Sequence, residues 1–139
     1  MSYQTTVRVK FGDTDCTTRV YFTAYSRWLD DAIIEMFRER GITYDEMGGM
    51  IFRGSKLRET MVVGEYSCRI VKPSSYNDIL LLEVKIREMR EKVIVFDGVF
   101  KDPESGDVMA YGSMTYVCVN QSEMKSAPIP KEIREALSN

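Results

Sequence analysis

Two carboxylates separated by one residue precede the longest amphipathic segment of the sequence. The loop reads Gly12-Asp13-Thr14-Asp15, and a helical pattern begins at about Thr23. Free backbone N–H groups and the positive end of a helix dipole would lie close to this loop. Such N–H groups can hold the oxygen of a polarised carbonyl, and Asp15 could attack that carbonyl or deprotonate a water that does. Asp and Thr are also common in turns and helix caps, so a purely structural loop is the alternative.

The sequence contains no histidine among its 139 residues. This excludes Ser-His-Asp and Cys-His catalysis, as well as metal sites of the HExxH class. The loop also fails as a calcium-binding EF-hand, because D-x-D-x-T lacks a third carboxylate or amide, the following Gly and the terminal Glu. Any acid–base chemistry therefore falls to Asp, Glu, Lys, Tyr or Cys.

The three cysteines, Cys16, Cys68 and Cys118, are widely spaced and form no CxxC pair. This pattern argues against a disulfide framework and against a zinc site. Cys16 has no histidine partner, and its thiol would be mostly protonated near neutral pH, so it is a poor nucleophile. Cys68 and Cys118 fall in strand-like segments, where we expect buried and inert thiols.

The length and composition predict one globular domain over residues 1–139. Apolar residues make up 44% and charged residues 29% of the sequence, and the net charge is −2. A nucleic-acid-binding domain would be basic, with clustered Lys and Arg. No segment approaches the roughly 20 apolar residues of a membrane helix, and the N-terminus lacks the pattern of a signal peptide. We therefore expect a cytoplasmic protein without a membrane or nucleic-acid partner.

The segment from about Thr23 to Arg40 has the periodicity of an amphipathic helix. Its apolar residues follow the i, i+3, i+4, i+7 spacing of one broad stripe, and charged residues occupy the opposite face. Thr23 is the predicted N-cap, and Gly41 is the predicted stop. The stripe comprises Tyr25, Trp28, Leu29, Ala32, Ile33, Met36 and Phe37.

Alternating apolar residues and turn signals predict five strands, together with a short helical turn at Thr43–Gly48 and another that ends near Leu137. One long helix followed by hairpin-linked strands is typical of an α+β fold, in which the helix packs on an antiparallel sheet. The edges of such an open sheet need cover, so we expect an oligomer. The predicted strands are Val7–Phe11, Thr60–Val71, Ile79–Met89, Lys92–Lys101 and Val108–Val119.

These features resemble the 4-hydroxybenzoyl-CoA thioesterase family of hotdog proteins. The family motif is F-x-D-x-D-x-x-G-x-V-x-x-x-x-Y-x-x-W/F-x-[DE], which corresponds here to Phe11 through Asp30. A second block, from Tyr66 to Val84, is similar to the strand–Pro–turn–Asp–strand stretch of these thioesterases. The resemblance implies a hotdog fold, with one long helix packed on a five-stranded antiparallel sheet. It also implies an acyl-CoA thioesterase that uses no metal and no cofactor.

The resemblance assigns roles to individual residues of the first block. The family's catalytic carboxylate is the second Asp of the motif, which here is Asp15. The family binds the thioester carbonyl with backbone N–H groups at the start of the helix, here those of about Phe22 and Thr23. Tyr25 and Trp28 would form the wall of the acyl pocket, or simply part of the core. The carboxylate either forms a mixed anhydride or activates a water, and both routes stay open.

Members of this family bind the CoA phosphates with basic residues near the mouth of the cleft. Arg90 and Lys92, on either side of the turn at Glu91, are our preferred candidates for this role, and Lys56 and Arg58 are further options. The alternative for the turn is a solvated hairpin with cross-strand ion pairs.

One departure from the motif lies at Thr17-Thr18-Arg19, where the family usually has Gly. If that Gly has a positive φ, Thr18 would be strained in its place. The departure leaves a second function open, a non-catalytic module that binds acyl-CoA or an acyl carrier. For an enzyme, we expect an acyl-CoA substrate and a homodimer or homotetramer with active sites at the subunit interface.

Overall fold

The computed structural model describes residues 2–138. The strands are β1 (Ser2–Arg8), β2 (Ile42–Tyr44), β3 (Met50–Phe52), β4 (Ser55–Lys56), β5 (Glu59–Ile70), β6 (Ile79–Met89), β7 (Val93–Lys101), β8 (Val108–Asn120) and β9 (Lys125–Ser126). The helices are α1 (Thr23–Glu39) and α2 (Lys131–Leu137), and a 3-10 turn covers Phe11–Asp13. Within this part of the chain, no helix has the length and apolar character needed to cross a membrane.

The main sheet is antiparallel, with the strand order β1-β6-β7-β8-β5 and the short β9 beside β8. The sequence predicts five strands for this sheet, and four of them, β5 to β8, agree with the structure. Strands β2, β3 and β4 form a separate small sheet. Because β1 and β5 stand at the two ends of the path, each has a strand partner on only one side among residues 2–138.

Helix α1 packs closely on the main sheet, and every residue of its apolar stripe is buried. Leu29 lies where Gly98 of β7 and Gly112 of β8 face each other across the ladder. A Cβ added to Gly98 would stand 2.7 Å from Leu29 Cδ1, so a larger residue would force the buried Leu29 side chain to shift. Burial of a side chain such as Leu29 contributes about 1.5–3 kcal/mol, which explains why the stripe fixes the helix on this face.

The start of α1 differs from the prediction, whereas its end agrees. Thr23 is the first helical residue, and Phe22 occupies the cap position without a side-chain hydrogen bond to the helix. The prediction that Thr23 is the N-cap is therefore wrong. The helix ends at Glu39, and Gly41 follows with a φ of +83°. Glycine adopts that left-handed conformation without steric cost, so it ends the helix as expected.

Two further predictions about the first half of the chain are wrong. The first strand covers Ser2–Arg8 instead of Val7–Phe11, because β6 offers ladder partners for every residue of β1 and Phe11 joins the 3-10 turn. The Thr43–Gly48 segment contains no helical turn, because β2 pairs with β3 across it. The other four predicted strands agree with the observed bounds to within one residue.

Candidate active site

Asp13 fixes the loop that precedes α1. Its side chain is 6% exposed, and it accepts hydrogen bonds from the Lys10 backbone N–H (2.9 Å) and from Arg27 Nη2 (2.5 Å). Burial alone would raise the pKa of Asp13, but these hydrogen bonds and the Arg27 charge lower it. The Asp13 carbonyl also accepts the Tyr21 N–H at 2.8 Å. The 3-10 turn is therefore tied both to α1 and to the residue next to Phe22.

Asp15 has a different environment, in an exposed turn. Its Oδ1 accepts hydrogen bonds from the Thr17 hydroxyl (2.6 Å) and from the Thr17 N–H (2.8 Å). These two bonds lower the pKa of Asp15, and Arg19 adds to the effect, so the carboxylate is ionised at neutral pH. The Asp15 N–H donates to the Arg19 carbonyl at 2.8 Å, which closes the turn. No hydrogen bond of normal geometry reaches Asp15 Oδ2 from the residues that the structure describes.

Thr18 has a φ of +65°, as expected for a residue that stands where the family has Gly. A non-glycine residue in this left-handed region costs roughly 1–2 kcal/mol and persists only when its surroundings hold it. The Thr18 carbonyl accepts the Tyr76 N–H (3.0 Å), and the neighbouring Val20 N–H donates to the Ser74 carbonyl (2.8 Å). The turn between β5 and β6 thus holds the Asp15 loop in its strained shape.

The first residues of α1 present free amide donors. The Ala24 N–H donates to the Tyr21 carbonyl at 3.0 Å, and the Tyr21 N–H is taken by Asp13. Among residues 2–138, the N–H groups of Phe22 and Thr23 donate no hydrogen bond of normal geometry. They stand at the positive end of the helix dipole, where a developing negative charge is stabilised. The loop that carries Asp15 leads directly into this position.

The sequence matches a known family over nearly its whole length. The match to the Thioesterase-like superfamily covers residues 9–137. The chain belongs to this superfamily. A curated protein of Aquifex aeolicus named "Putative esterase" is 28% identical over 133 residues, which are 95% of this chain and 94% of that protein.

Solved structures of thioesterases share the architecture of this superfamily member. A 1,4-dihydroxy-2-naphthoyl-CoA thioesterase from Synechocystis superposes with a TM-score of 0.86 at 19% identity, over 100% of this chain and 97% of that one. A gentisyl-coenzyme A thioesterase superposes with a TM-score of 0.80 at 26% identity, over 98% of this chain and 100% of that one. The predicted hotdog fold is therefore confirmed.

Tyr25 and Trp28 are part of the core of this thioesterase-like chain. Their side chains are 1% and 6% exposed, and their rings meet edge to face at 5.5 Å. The Tyr25 ring also packs against Phe100 of β7 at 5.2 Å. Both rings thus pack between the start of α1 and the sheet.

A group of buried hydroxyls lies beside Tyr25, and the sequence analysis does not identify it. Burial raises the pKa of Tyr25, and the neighbouring Ser74 hydroxyl opposes that increase. Ser74 Oγ and Tyr66 Oη are both buried without a hydrogen bond of normal geometry to any described residue. The sequence marks Ser74 only as a turn residue after Pro73, and Tyr66 only as one of the residues of a strand.

Arg90 and Lys92 lie far from Asp15 of the same chain. Residue 79 at the start of β6 pairs with Arg8, just before the Asp15 loop, whereas Arg90 follows the end of β6. The length of β6, about 3.3 Å per residue, separates the two regions by roughly 35 Å. Arg90 forms an ion pair with Glu88 at 2.8 Å, and no ion pair of Lys92 is found within residues 2–138.

The structure also locates four other residues that the sequence analysis considers. Asp30, the acid at the end of the motif, accepts a short hydrogen bond from the Tyr116 hydroxyl, so it joins α1 to β8. Cys118 is buried as predicted, and burial raises its pKa to about 11. The prediction that Cys68 is buried is wrong, because this residue of β5 is only partly buried, and Cys16 is exposed.

Proposed function

We propose that this chain is an acyl-CoA thioesterase, which hydrolyses an acyl-CoA to the free acid and CoA. Membership of the Thioesterase-like superfamily supports the reaction class. The proposal depends on one observation, the exposed and ionised Asp15 in the loop that leads to the unpaired N–H groups of Phe22 and Thr23. A carboxylate can act on a carbonyl carbon while amides stabilise the negative charge that develops on the oxygen.

Two routes are compatible with these groups, and in both the amides hold the carbonyl oxygen. In the first, an Asp15 oxygen attacks the carbonyl carbon and the C–S bond breaks. A water then attacks the acyl–aspartyl anhydride and gives its proton to the CoA thiolate, which yields the free acid, the CoA thiol and the Asp15 carboxylate. In the second, Asp15 takes a proton from a water that attacks the carbonyl carbon, the C–S bond breaks, and Asp15 returns the proton to the thiolate. Both routes regenerate the carboxylate.

We place the complete site at an interface between subunits. In the single chain Asp15 is exposed, and so are the nearby rings of Phe11, Tyr21 and Phe22. Clustered exposed apolar side chains are typical of a contact surface, and the free edge of β5 offers unpaired backbone groups to another strand. A homodimer or homotetramer would cover these groups and exclude water from the thioester.

In this assembly, Arg90 and Lys92 bind the CoA phosphates of a site whose Asp15 belongs to another subunit. Their positive charges attract phosphate over long distances, and Arg can hold it with two parallel hydrogen bonds. Tyr25 and Trp28 form the inner wall of the acyl pocket. Within the superfamily we favour the 4-hydroxybenzoyl-CoA thioesterase family. Aromatic acyl-CoAs are therefore the first substrates to test, as the named gentisyl- and dihydroxynaphthoyl-CoA thioesterases also suggest.

A panel of aromatic, short aliphatic and long aliphatic acyl-CoAs tests this proposal by the release of free CoA. We expect the wild type to hydrolyse at least one class, and Asp15→Asn to reduce kcat by roughly 10³-fold. Glu123→Gln is the matched control, because it neutralises an exposed carboxylate in the turn between β8 and β9. If the wild type releases no CoA from any substrate, the proposal is wrong.

A non-catalytic module that binds acyl-CoA or an acyl carrier is the second candidate. It is favoured by the positive φ of Thr18 and by Asp15 Oδ1, which Thr17 already occupies. A module of this kind would bind acyl-CoA saturably without releasing CoA. Calorimetric titration of wild type and Asp15→Asn separates the candidates, because a binding module would keep its affinity in the variant and show no turnover in the wild type.

A further inference from the structure

The two oxygens of the Asp15 carboxylate are not equivalent. Oδ1 accepts two hydrogen bonds, from the Thr17 hydroxyl at 2.6 Å and the Thr17 N–H at 2.8 Å. Oδ2 receives no hydrogen bond of normal geometry from residues 2–138. A carboxylate that is held at one oxygen can present the other to a reactant with little loss of rotational freedom.

The backbone around Thr17 is fixed independently of its side chain. The Asp15 N–H donates to the Arg19 carbonyl (2.8 Å), and the Thr18 N–H donates to the Asp15 carbonyl (3.1 Å). Thr18 adopts its φ of +65° next to Thr17, and the Tyr76 N–H holds the Thr18 carbonyl from a separate turn. Strained residues of this kind persist where the surrounding structure determines the conformation. Thr17 therefore has a fixed position from which to donate.

We propose that Thr17 is a positioning residue, whose hydroxyl orients the Asp15 carboxylate so that Oδ2 faces the substrate. This inference rests on the proposed thioesterase function. Thr17 touches neither the thioester nor the attacking water, and it acts only through Asp15. The hydroxyl makes the shorter of the two hydrogen bonds, and it is the part that a substitution can remove while the N–H remains.

The same hydrogen bonds give the proposal a pH signature. The Thr17 hydroxyl and N–H lower the pKa of Asp15, and the backbone N–H and the charge of Arg19, in the same loop, lower it further. Asp13 is already paired with Arg27, and Asp78 of the neighbouring turn accepts the Ser75 N–H. Removing the hydroxyl raises the pKa of Asp15. Since the reactive form is the carboxylate, the acidic limb of the pH–rate profile would move to higher pH.

Thr17→Val and Thr17→Ser form a matched pair for the test. Valine keeps the branched shape without the hydroxyl, and serine keeps the hydroxyl. We expect Thr17→Val to lower kcat roughly 10-fold, within the range for a misplaced reacting group, with KM unchanged and the acidic limb at higher pH. Thr17→Ser should restore both kcat and the pH profile. Equal profiles for wild type and Thr17→Val would overturn the inference, and so would a kcat loss that serine does not rescue.

The outcome for Thr17 can be separated from that for the thioesterase function. If the wild type hydrolyses an acyl-CoA, Asp15→Asn is inactive and Thr17→Val behaves as the wild type, only the role of Thr17 is refuted. If the wild type hydrolyses nothing, both proposals are refuted. A ¹³C NMR titration of the Asp15 carboxyl group provides a readout without turnover. It should give a higher Asp15 pKa in Thr17→Val than in wild type and Thr17→Ser, and the same value in all three would also overturn the inference.

Discussion

The 3-10 turn at Asp13 and the loop at Asp15 place the same side chain in opposite environments. Asp13 is buried between Lys10 and Arg27, and its hydrogen bonds connect two elements of the fold. Asp15 is exposed, and its bonds come from Thr17 of its own loop. Both carboxyl groups have lowered pKa values, so ionisation alone does not separate them. The difference lies in the partners. Both oxygens of Asp13 accept a hydrogen bond, whereas Asp15 Oδ2 accepts none of normal geometry from residues 2–138.

The largest expected effect on stability is at Asp13. Asp13→Ala removes two hydrogen bonds to a buried carboxylate and leaves Arg27 without its partner. Because the Arg27 side chain is 55% exposed and can be hydrated, we expect a loss of about 2 kcal/mol in the free energy of unfolding, below the cost for a fully buried pair. Urea denaturation measures this loss. Asp15→Ala is the control and should lower the unfolding midpoint much less, because its carboxylate is exposed and can be hydrated. An equal loss of stability in both variants would contradict the difference between the two sites.

The pH dependence of stability tests whether Asp13 stabilises the fold through its charge. The pKa of Asp13 is lowered in the folded state, so its stabilisation is complete above the unfolded value of about 3.9 and is lost as the pH falls through the folded-state value. We expect the stability difference between wild type and Asp13→Ala to be constant from about pH 7 to 5 and to shrink below about pH 4. Urea denaturation across this range measures it. A difference that stays constant in acid would show that Asp13 acts by packing and not by charge.

A smaller effect, on the KM for acyl-CoA, is expected at Arg90 and Lys92, which lie far from both carboxylates. An exposed charge contact contributes up to about 1 kcal/mol, so replacing both residues with Ala should raise KM for acyl-CoA roughly 10-fold while kcat stays unchanged. The difference should decrease at high salt, because exposed charges are screened. Steady-state kinetics at low and high salt measure both effects. Lys125→Ala in β9 is the control, and an unchanged KM in the double variant would place the CoA phosphates elsewhere.

The smallest effect, on the free energy of unfolding, is expected at Thr18 in the Asp15 loop. Thr18→Gly removes the strain of a positive φ, but glycine also gains entropy in the unfolded chain. We therefore expect a stabilisation of no more than about 1 kcal/mol, measured by thermal or urea denaturation. Thr115→Gly in β8 provides a comparison that should be destabilising, since glycine weakens a strand. A destabilised Thr18→Gly would mean that the threonine side chain supports the loop.

Much of the fold could be predicted because it follows from periodic burial. The stripe through Leu29 and Ile33 defined α1, and the strand Ile79–Met89 was predicted with its observed bounds. The small sheet was missed because β2 and β3 have only three residues each, too few for a period to be recognised. The prediction of Thr23 as the N-cap was wrong because Phe22, the residue before it, already has a helical conformation.

The sequence predicted where the candidate site lies, but not how the environments of its residues differ. The motif located Asp15, and its missing Gly predicted the strain that Thr18 has. The sequence alone could not distinguish the environment of Asp13 from that of Asp15, because the partner Arg27 is brought in by α1. Ser74 was predicted only as a turn residue, because its burial depends on packing against Tyr25 in a different element.

The most direct test measures kcat of Asp15→Asn and Asp13→Asn side by side, on an acyl-CoA that the wild type hydrolyses. We predict that Asp15→Asn loses roughly 10³-fold in kcat and unfolds like the wild type. Asp13→Asn should keep kcat within about 10-fold of the wild type while it loses stability. If Asp15→Asn turned over at the wild-type rate, Asp15 would not be the reacting group.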